Sequence, residues 1–195
     1  EQHLFTIFFM IDYCLNIMRS NGIDLTKIIE TFPDFPKKGI SFRDVNPIFR
    51  RHDALSFISQ EFCNQLRGYN IDLIIGIESR GFVVATALAL AMGKGLVLVR
   101  KAGKLPGQTL QQSYDIEYGN SVMEIQKDSI GRDQNVLIVD DLVATGGTAI
   151  AAERLVSQLG GKVVGFAFVI ELAKIGGATK IRKLGYDVCS LVVYE

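Results

Sequence analysis

The chain has 195 residues, 48% hydrophobic and 22% charged, with 21 Lys+Arg against 21 Asp+Glu and so no formal net charge. Such a composition fits a soluble globule with one full-sized core, and its neutrality argues against a nucleic-acid binder, which carries a basic excess. Three widely spaced cysteines (Cys14, Cys63, Cys189) read as buried thiols of a reducing, cytoplasmic compartment rather than as disulfides, and two histidines are too few for a His-rich metal site.

Residues 1–22 read as a peripheral extension ahead of a domain over residues 23–195. Leu4–Ile11 is apolar, but Glu1 precedes it and Asp12 ends it, which fits neither a secretory signal nor a membrane span. Met10 and Met18 are alternative starts. Asp24 is placed to cap a short helix running to Thr31, and the prolines force Phe32-Pro33-Asp34-Phe35-Pro36 to be extended. Asp53 opens a helix to about Gly68, in which Leu55, Ile58, Phe62 and Leu66 recur at helical spacing.

An alternation follows: strand 72–77, helix 82–92, strand 96–99, a polar insert 101–130, strand 136–139, a helix from about Ile150, strand 163–170, helix 178–184 and strand 188–193. Strands separated by helices predict an α/β fold, a mostly parallel sheet flanked by helices. Ligands of such sheets collect at the carboxyl ends of the strands. The insert holds two alternating segments, 113–118 and 121–126, around Gly119-Asn120. They predict a hairpin rising off the sheet as a lid.

The run Val136-Leu-Ile-Val-Asp140-Asp141-Leu142-Val-Ala144-Thr145-Gly146-Gly147-Thr148 is the most informative. Its apolar start reads as a buried strand ending at the two acids, and its small residues feed a helix N-terminus, a ready anion site. Carboxylates beside a phosphate would repel it unless they face another part of the same ligand, such as sugar hydroxyls or a bridging cation. No Gly-x-x-x-x-Gly-Lys-Ser/Thr nucleotide loop occurs. The run resembles the signature of type I phosphoribosyltransferases. That resemblance implies that Ala144–Thr148 hold a 5'-phosphate and that Asp140 and Asp141 face the ribose hydroxyls near Mg2+, which is carried by the substrate and touches the protein at most through water.

Three further segments follow strands or lie in the insert. Glu78-Ser-Arg80-Gly81 puts a cation after strand 72–77, and Arg100-Lys101-Ala-Gly-Lys104-Leu-Pro-Gly107 clusters three cations in an open loop after the next strand. Ser113-Tyr-Asp-Ile-Glu117-Tyr118-Gly119 resembles a stretch of adenine phosphoribosyltransferases, with Ile116 in place of a leucine. Lys38-Gly-Ile40-Ser41-Phe42-Arg43-Asp44 resembles that family's purine-recognition segment, in a small N-terminal hood, but has Lys38 where the family usually has proline.

The resemblance covers residues 23–195 and implies a homodimeric enzyme that makes AMP and pyrophosphate from adenine and phosphoribosyl pyrophosphate. It assigns Arg80 to pyrophosphate and adenine, and Arg100, Lys101 and Lys104 to pyrophosphate. Ile40, Ser41, Phe42, Arg43 and Leu142 go to the purine and its surroundings. Glu117 becomes the proton-handling residue, Tyr118 closes the lid, and Glu78 is a supporting residue. Two other readings stay open. One is a hypoxanthine, guanine or xanthine enzyme on the same scaffold; the other is a module that senses phosphoribosyl pyrophosphate without catalysis.

Overall fold

The computed structural model describes residues 22–116 and 119–195. The expected extension, with Cys14, therefore lies outside the described residues apart from Gly22. The chain divides into two compact units at Gln60/Glu61.

In the first unit Asp24 caps α1 (Leu25–Ile28), its carboxylate accepting the Thr26 N–H at 3.1 Å. This helix is shorter than expected. The backbone turns extended at Ile29, and Glu30–Pro33 form β1, antiparallel to β2 (Ser41–Asp44) with Phe32 opposite Phe42. β-Branched Thr31 and N–H-less Pro33 are poor helix formers, so the strand partner wins this stretch. The extended run expected over 32–36 is broken at Asp34 (φ 57°), whose carboxylate accepts the Gly39 N–H at 2.7 Å and closes the connection between the strands. The short α2 (Asn46–Phe49) comes next, and α3 (His52–Gln65) ends earlier than the Gly68 expected. Val45, Ile48, Ala54 and Ile58 are fully buried.

The second unit is built on β3 (Leu73–Ile77), α4 (Gly81–Met92), β4 (Gly95–Lys101), β5 (Thr109–Ile116), β6 (Gly119–Gln126), β7 (Asn135–Val143), α5 (Gly147–Gln158), β8 (Lys162–Leu172), α6 (Gly177–Lys183) and β9 (Val188–Tyr194). Among the described residues these strands form one sheet in the order β5-β6-β4-β3-β7-β8-β9. β4, β3, β7, β8 and β9 are parallel, and β6 and β5 add an antiparallel edge. The α/β class with a mostly parallel, helix-flanked sheet is thus the one expected.

β3 leads through α4 to β4 on one side of the sheet, and β7 leads through α5 to β8 on the other. Right-handed crossovers in opposite directions put the two helices on opposite faces. Packing agrees: Phe82 and Ala85 of α4 close on Gly76, whereas Leu73, Ile75 and Ile77 share a buried core with Ala149, Ala152 and Leu155 of α5. The strand order therefore reverses between β3 and β7, and a crevice opens beyond the carboxyl ends of strands at such a switch point.

Two expectations need correction. β7 does not end at the acids: it continues to Val143, with Leu142 opposite Ile170 and Val143 opposite Glu171, because the long β8 supplies a partner. The insert's hairpin does not rise off the sheet. It extends the sheet, β6 pairing with β4 at Arg100↔Glu124 and Lys101↔Met123, because Met123 and Ile125 are buried in the core. Gly119 and Asn120, read as its turn, lie in β6 opposite Ile116 and Asp115.

The thiols are also less enclosed than expected. Cys63 and Cys189 are free and only half-buried. Partial burial, with a smaller push from the Glu61 charge, raises Cys189 to about 11, so its thiolate is scarce at neutral pH. Near the start of β9 a concavity of about 300 Å³ is lined by Tyr69, Asp187, Arg182 and Cys189. Its polar groups are already engaged: the Tyr69 hydroxyl donates to Asp187 at 2.7 Å, and Arg182 grips Glu171. Among the described residues no helix is long and apolar enough to cross a membrane.

Candidate active site

Three segments meet at the switch point. The Glu78–Arg80 turn follows β3, the acids lie on β7, and the Ala144–Gly146 turn leads from β7 into α5. Gly81 makes the first meeting possible, because a Cβ there would collide with the Cα and carboxylate of Asp140. With Gly81 in place, the first turn of α4 lies against Asp140 and presents Arg80 beside Asp141.

Arg80 Nε stands 2.8 Å from Asp141 Oδ2, a carboxylate only 8% exposed. Oδ2 is buried and has no aligned hydrogen-bond donor, so the contact is one of charge rather than a directed hydrogen bond. Asp140 Oδ1 accepts the Asp141 backbone N–H at 2.9 Å. Burial first, and then the neighbouring Asp141 charge, hold the Asp140 carboxyl well above its ordinary range, with Arg80 pulling weakly the other way. The acid pair thus carries less negative charge than two free carboxylates: one leans toward its neutral form and the other is matched by Arg80. Two acids can sit beside an anion site on those terms.

That anion site is the turn after β7. Gly146 caps α5 at φ 78°, a conformation glycine adopts without strain, and the first N–H groups of α5 have no partner within the helix. Thr145 is exposed, and Gly147 and Thr148 are partly exposed. The loop rests on α6. Gly177 N–H donates to the Ala144 carbonyl at 2.9 Å, and Lys180 Nζ donates to the Thr145 carbonyl at 3.4 Å. A Cβ on Gly177 would overlap the backbone of Ala144, Thr145 and Gly146. α6 is held in turn by a two-pronged pair, with Arg182 donating to both oxygens of the buried Glu171 at 2.8 Å and Ser190 adding a bond at 2.7 Å. Arg182, against the opposing effect of burial and with help from Ser190, keeps the Glu171 carboxyl below its usual range. Gly177→Ala should therefore move the loop. Overpacking of this kind costs about 1–3 kcal/mol, or roughly 5- to 150-fold in affinity for a phosphate seated there. Calorimetric titration with a nucleoside monophosphate checks it, and unchanged affinity in a natively folded variant would separate α6 from the site.

The cationic loop after β4 is ordered by acids. Arg100, read as one of three clustered cations, pairs with Glu78 (Nε to Oε2, 3.3 Å), lies 6.0 Å over the Phe82 ring and donates to the Lys104 carbonyl at 3.0 Å. Glu78 also accepts the Lys101 N–H at 2.9 Å. The side chains of Lys101 and Lys104 are exposed.

Of the other expected site residues, Leu142 is partly exposed on β7. Ile40, Ser41, Phe42 and Arg43 belong to the first unit. Phe42 packs edge-on against Phe35 at 5.2 Å and 80°, Arg43 donates to Thr31 Oγ1, and Phe32, Phe35 and Ile40 are exposed at 44%, 53% and 37%. The loop before them is set by the Asp34 bond and by Gly39 at φ 88°, on either side of Lys38. Glu117 and Tyr118 lie outside the described residues. Sequence reasoning missed Gly177 and Glu124. The signals were a Gly-Gly pair before a helix, which marks close backbone approach, and one acid inside the apolar alternation Val122-Met-Glu-Ile125.

Comparison with known proteins places the chain in a family. The sequence model of the phosphoribosyl transferase domain matches residues 48–193. The adenine phosphoribosyltransferases of Nitrosopumilus maritimus and Cenarchaeum symbiosum are 52% and 49% identical over 172 residues, 88% of this chain and 100% of theirs. The crystal structure of adenine phosphoribosyltransferase from Thermoanaerobacter pseudethanolicus superposes with a TM-score of 0.83 at 43% identity, covering 87% of this chain and 97% of that one. The Saccharomyces cerevisiae enzyme, solved with an imino-altritol bisphosphate and adenine, gives 0.80 at 42% identity, over 86% and 96%. The chain belongs to the adenine phosphoribosyltransferase family of phosphoribosyl transferase domains.

Proposed function

We propose that this chain transfers the 5-phosphoribosyl group of phosphoribosyl pyrophosphate to adenine, giving AMP and pyrophosphate in purine salvage. The observation that carries the reading is the meeting of an anion-binding helix start, a charge-moderated acid pair and a cationic loop at the carboxyl ends of β7, β3 and β4. Those parts match a ligand with a phosphate at one end, a diol in the middle and a diphosphate at the other. In this reading Ala144–Thr148 hold the 5'-phosphate through N–H and hydroxyl donors, fixing the sugar far from the bond that breaks. Asp140 and Asp141 accept the 2'- and 3'-hydroxyls. Lys101 and Lys104 face the diphosphate, while Arg80 can exchange Asp141 for a substrate oxygen. Cations aimed at the leaving group stabilise the charge that develops as the C1'–O bond breaks.

N9 of adenine then attacks C1', and Glu117 takes the proton from N7 as the purine bonds to the sugar. The resemblance gives Tyr118 the closing role, Phe42 a stacking role toward the purine, and Ile40, Ser41, Arg43 and Leu142 supporting roles toward it. These base contacts rest on the resemblance.

Among the described residues no cluster of three or more His, Cys, Asp or Glu is arranged to enclose a metal ion. The carboxylates that could face Mg2+ through water are Asp140 and Asp141, whose Oδ2 has the Arg80 charge beside it but no aligned hydrogen-bond donor, enough for an ion that takes its oxygens from substrate and water. Bound there, Mg2+ would neutralise the leaving diphosphate.

The resemblance also implies a homodimer working in the cytoplasm. Apolar Val83 and Leu90, 39% and 80% exposed on α4, suit a subunit contact that light scattering would detect. The reaction itself is tested by offering adenine, hypoxanthine and guanine with phosphoribosyl pyrophosphate and Mg2+. AMP should be the product formed fastest; IMP or GMP formed faster would favour the other base specificities, and no pyrophosphate release would favour a sensor.

A further inference from the structure

Glu124 is 2% exposed, among the few charged side chains buried in this fold. It lies on β6 opposite Arg100 and uses both oxygens. Oε1 accepts the N–H groups of Lys104 and Leu105, each at 2.8 Å, and Oε2 accepts the Gln111 amide at 3.2 Å. The donors are consecutive backbone groups of the cationic loop, so the carboxylate acts as the centre around which that loop is wound. Burial pushes the Glu124 carboxyl up, but the N–H groups of Leu105, Lys104 and Gly103 outweigh it and hold the group below its usual range, so it stays ionised at neutral pH.

Besides the Arg100 bond to the Lys104 carbonyl, further ties of the loop also run to β6 and its continuation. Ala102 N–H donates to the Val122 carbonyl at 2.9 Å, Gln126 to the Pro106 carbonyl at 3.2 Å, and Lys127 N–H to the Gln108 carbonyl at 3.0 Å. These bonds hold the flanks, at Ala102 and at residues 106–108. In the middle of the loop, residues 103–105, Arg100 holds the Lys104 carbonyl at 3.0 Å, and Glu124 takes the Lys104 and Leu105 N–H groups.

We propose that Glu124 is the positioning residue of the diphosphate subsite, holding the Gly103–Leu105 backbone so that Lys104 is presented to the leaving group. It touches no substrate and acts through the loop. This inference rests on the reading of that loop as the diphosphate site. A neutral amide at position 124 keeps one acceptor oxygen for the loop but turns an NH2 group toward the NH2 of Gln111. The charge that strengthens the loop's bonds is then lost as well.

The test uses the full chain and three variants: Glu124→Gln, Glu124→Ala, and Glu124→Gln combined with Gln111→Glu, which exchanges donor and acceptor across the pair. Affinities for phosphoribosyl pyrophosphate, pyrophosphate and AMP are measured for each, with circular dichroism to follow folding. AMP reports the phosphate and ribose sites without the diphosphate. Glu124→Gln should weaken phosphoribosyl pyrophosphate and pyrophosphate about tenfold, and Glu124→Ala by more. AMP should stay within about twofold, and the exchanged pair should recover part of the loss. Unchanged pyrophosphate affinity in both single variants would overturn the proposal. So would an equal loss for AMP, since Glu124 would then support the whole domain rather than the loop. If the unaltered chain binds AMP but not pyrophosphate, the loop is not the diphosphate site and the inference falls with it. If it binds neither, the proposed reaction itself fails.

Discussion

Asp140→Asn combined with Asp141→Asn should weaken binding of both phosphoribosyl pyrophosphate and AMP by about 10- to 10²-fold, since the hydrogen bond to the charged Asp141 is worth about 1.5–3 kcal/mol and Asp140 leans toward its neutral form. At Asp140 the loss should come without a loss of stability. Asp140 sits where burial and a like charge already oppose its ionised form, so a neutral side chain of the same shape removes a strain on the folded state. Asp140→Asn alone should leave the thermal midpoint unchanged or raise it. Asp141→Asn also takes the counter-charge from Arg80, 2.8 Å away, so its effect should extend to the diphosphate end. Titration calorimetry with AMP reads the ribose contribution and a thermal melt reads stability. Unaltered Mg2+-dependent affinity in the double variant would remove both acids from the sugar site.

Glu117→Gln should behave in the opposite way, lowering kcat about 10²–10⁴-fold, the usual range for losing a general acid–base group. Affinity for phosphoribosyl pyrophosphate should hardly change. The amide keeps the shape of the side chain but cannot take a proton from N7, so the purine must form its bond to C1' while still carrying that proton. β5 ends at Ile116 and β6 opens at Gly119, so both sides of the Glu117–Tyr118 pair are anchored in the sheet edge. Pre-steady-state mixing separates the chemical step from product release. Near-normal turnover in the variant would exclude Glu117 from proton transfer.

Much of this architecture was legible because hydrophobic periodicity is a local signal. Leu73–Ile77 is an unbroken apolar run, and the structure buries every residue of it in the sheet. The acids, the small-residue turn and the helix after them could be read in order from Asp140 to Thr148, since the chemistry there depends on neighbours in sequence. What escaped depends on partners far along the chain. β7 runs past Asp140 only because β8 is long enough to pair with Leu142 and Val143. The hairpin joins the sheet because Met123 and Ile125 find a core that the insert's polar composition hides. Arg100 looks like a free cation until Glu78, on another strand's end, is brought within 3.3 Å. Gly177 and Glu124 act on loops roughly thirty and twenty positions away in the chain, distances over which pattern reading has no purchase. Helix α1 stopped short for a local reason that the capping signal at Asp24 masked, namely a proline and β-branched neighbours that favour a strand.

The central claim is that the turn from Ala144 to Thr148 seats a sugar phosphate while Asp140 and Asp141 hold the ribose of the same molecule. A crystal structure of the full chain with AMP tests it most directly. The phosphate should lie within hydrogen-bond distance of the Thr145–Thr148 N–H and hydroxyl groups, and the 2'- and 3'-hydroxyls should meet the two carboxylates. AMP bound elsewhere, or bound with its phosphate on the Lys101–Lys104 loop instead, would contradict it.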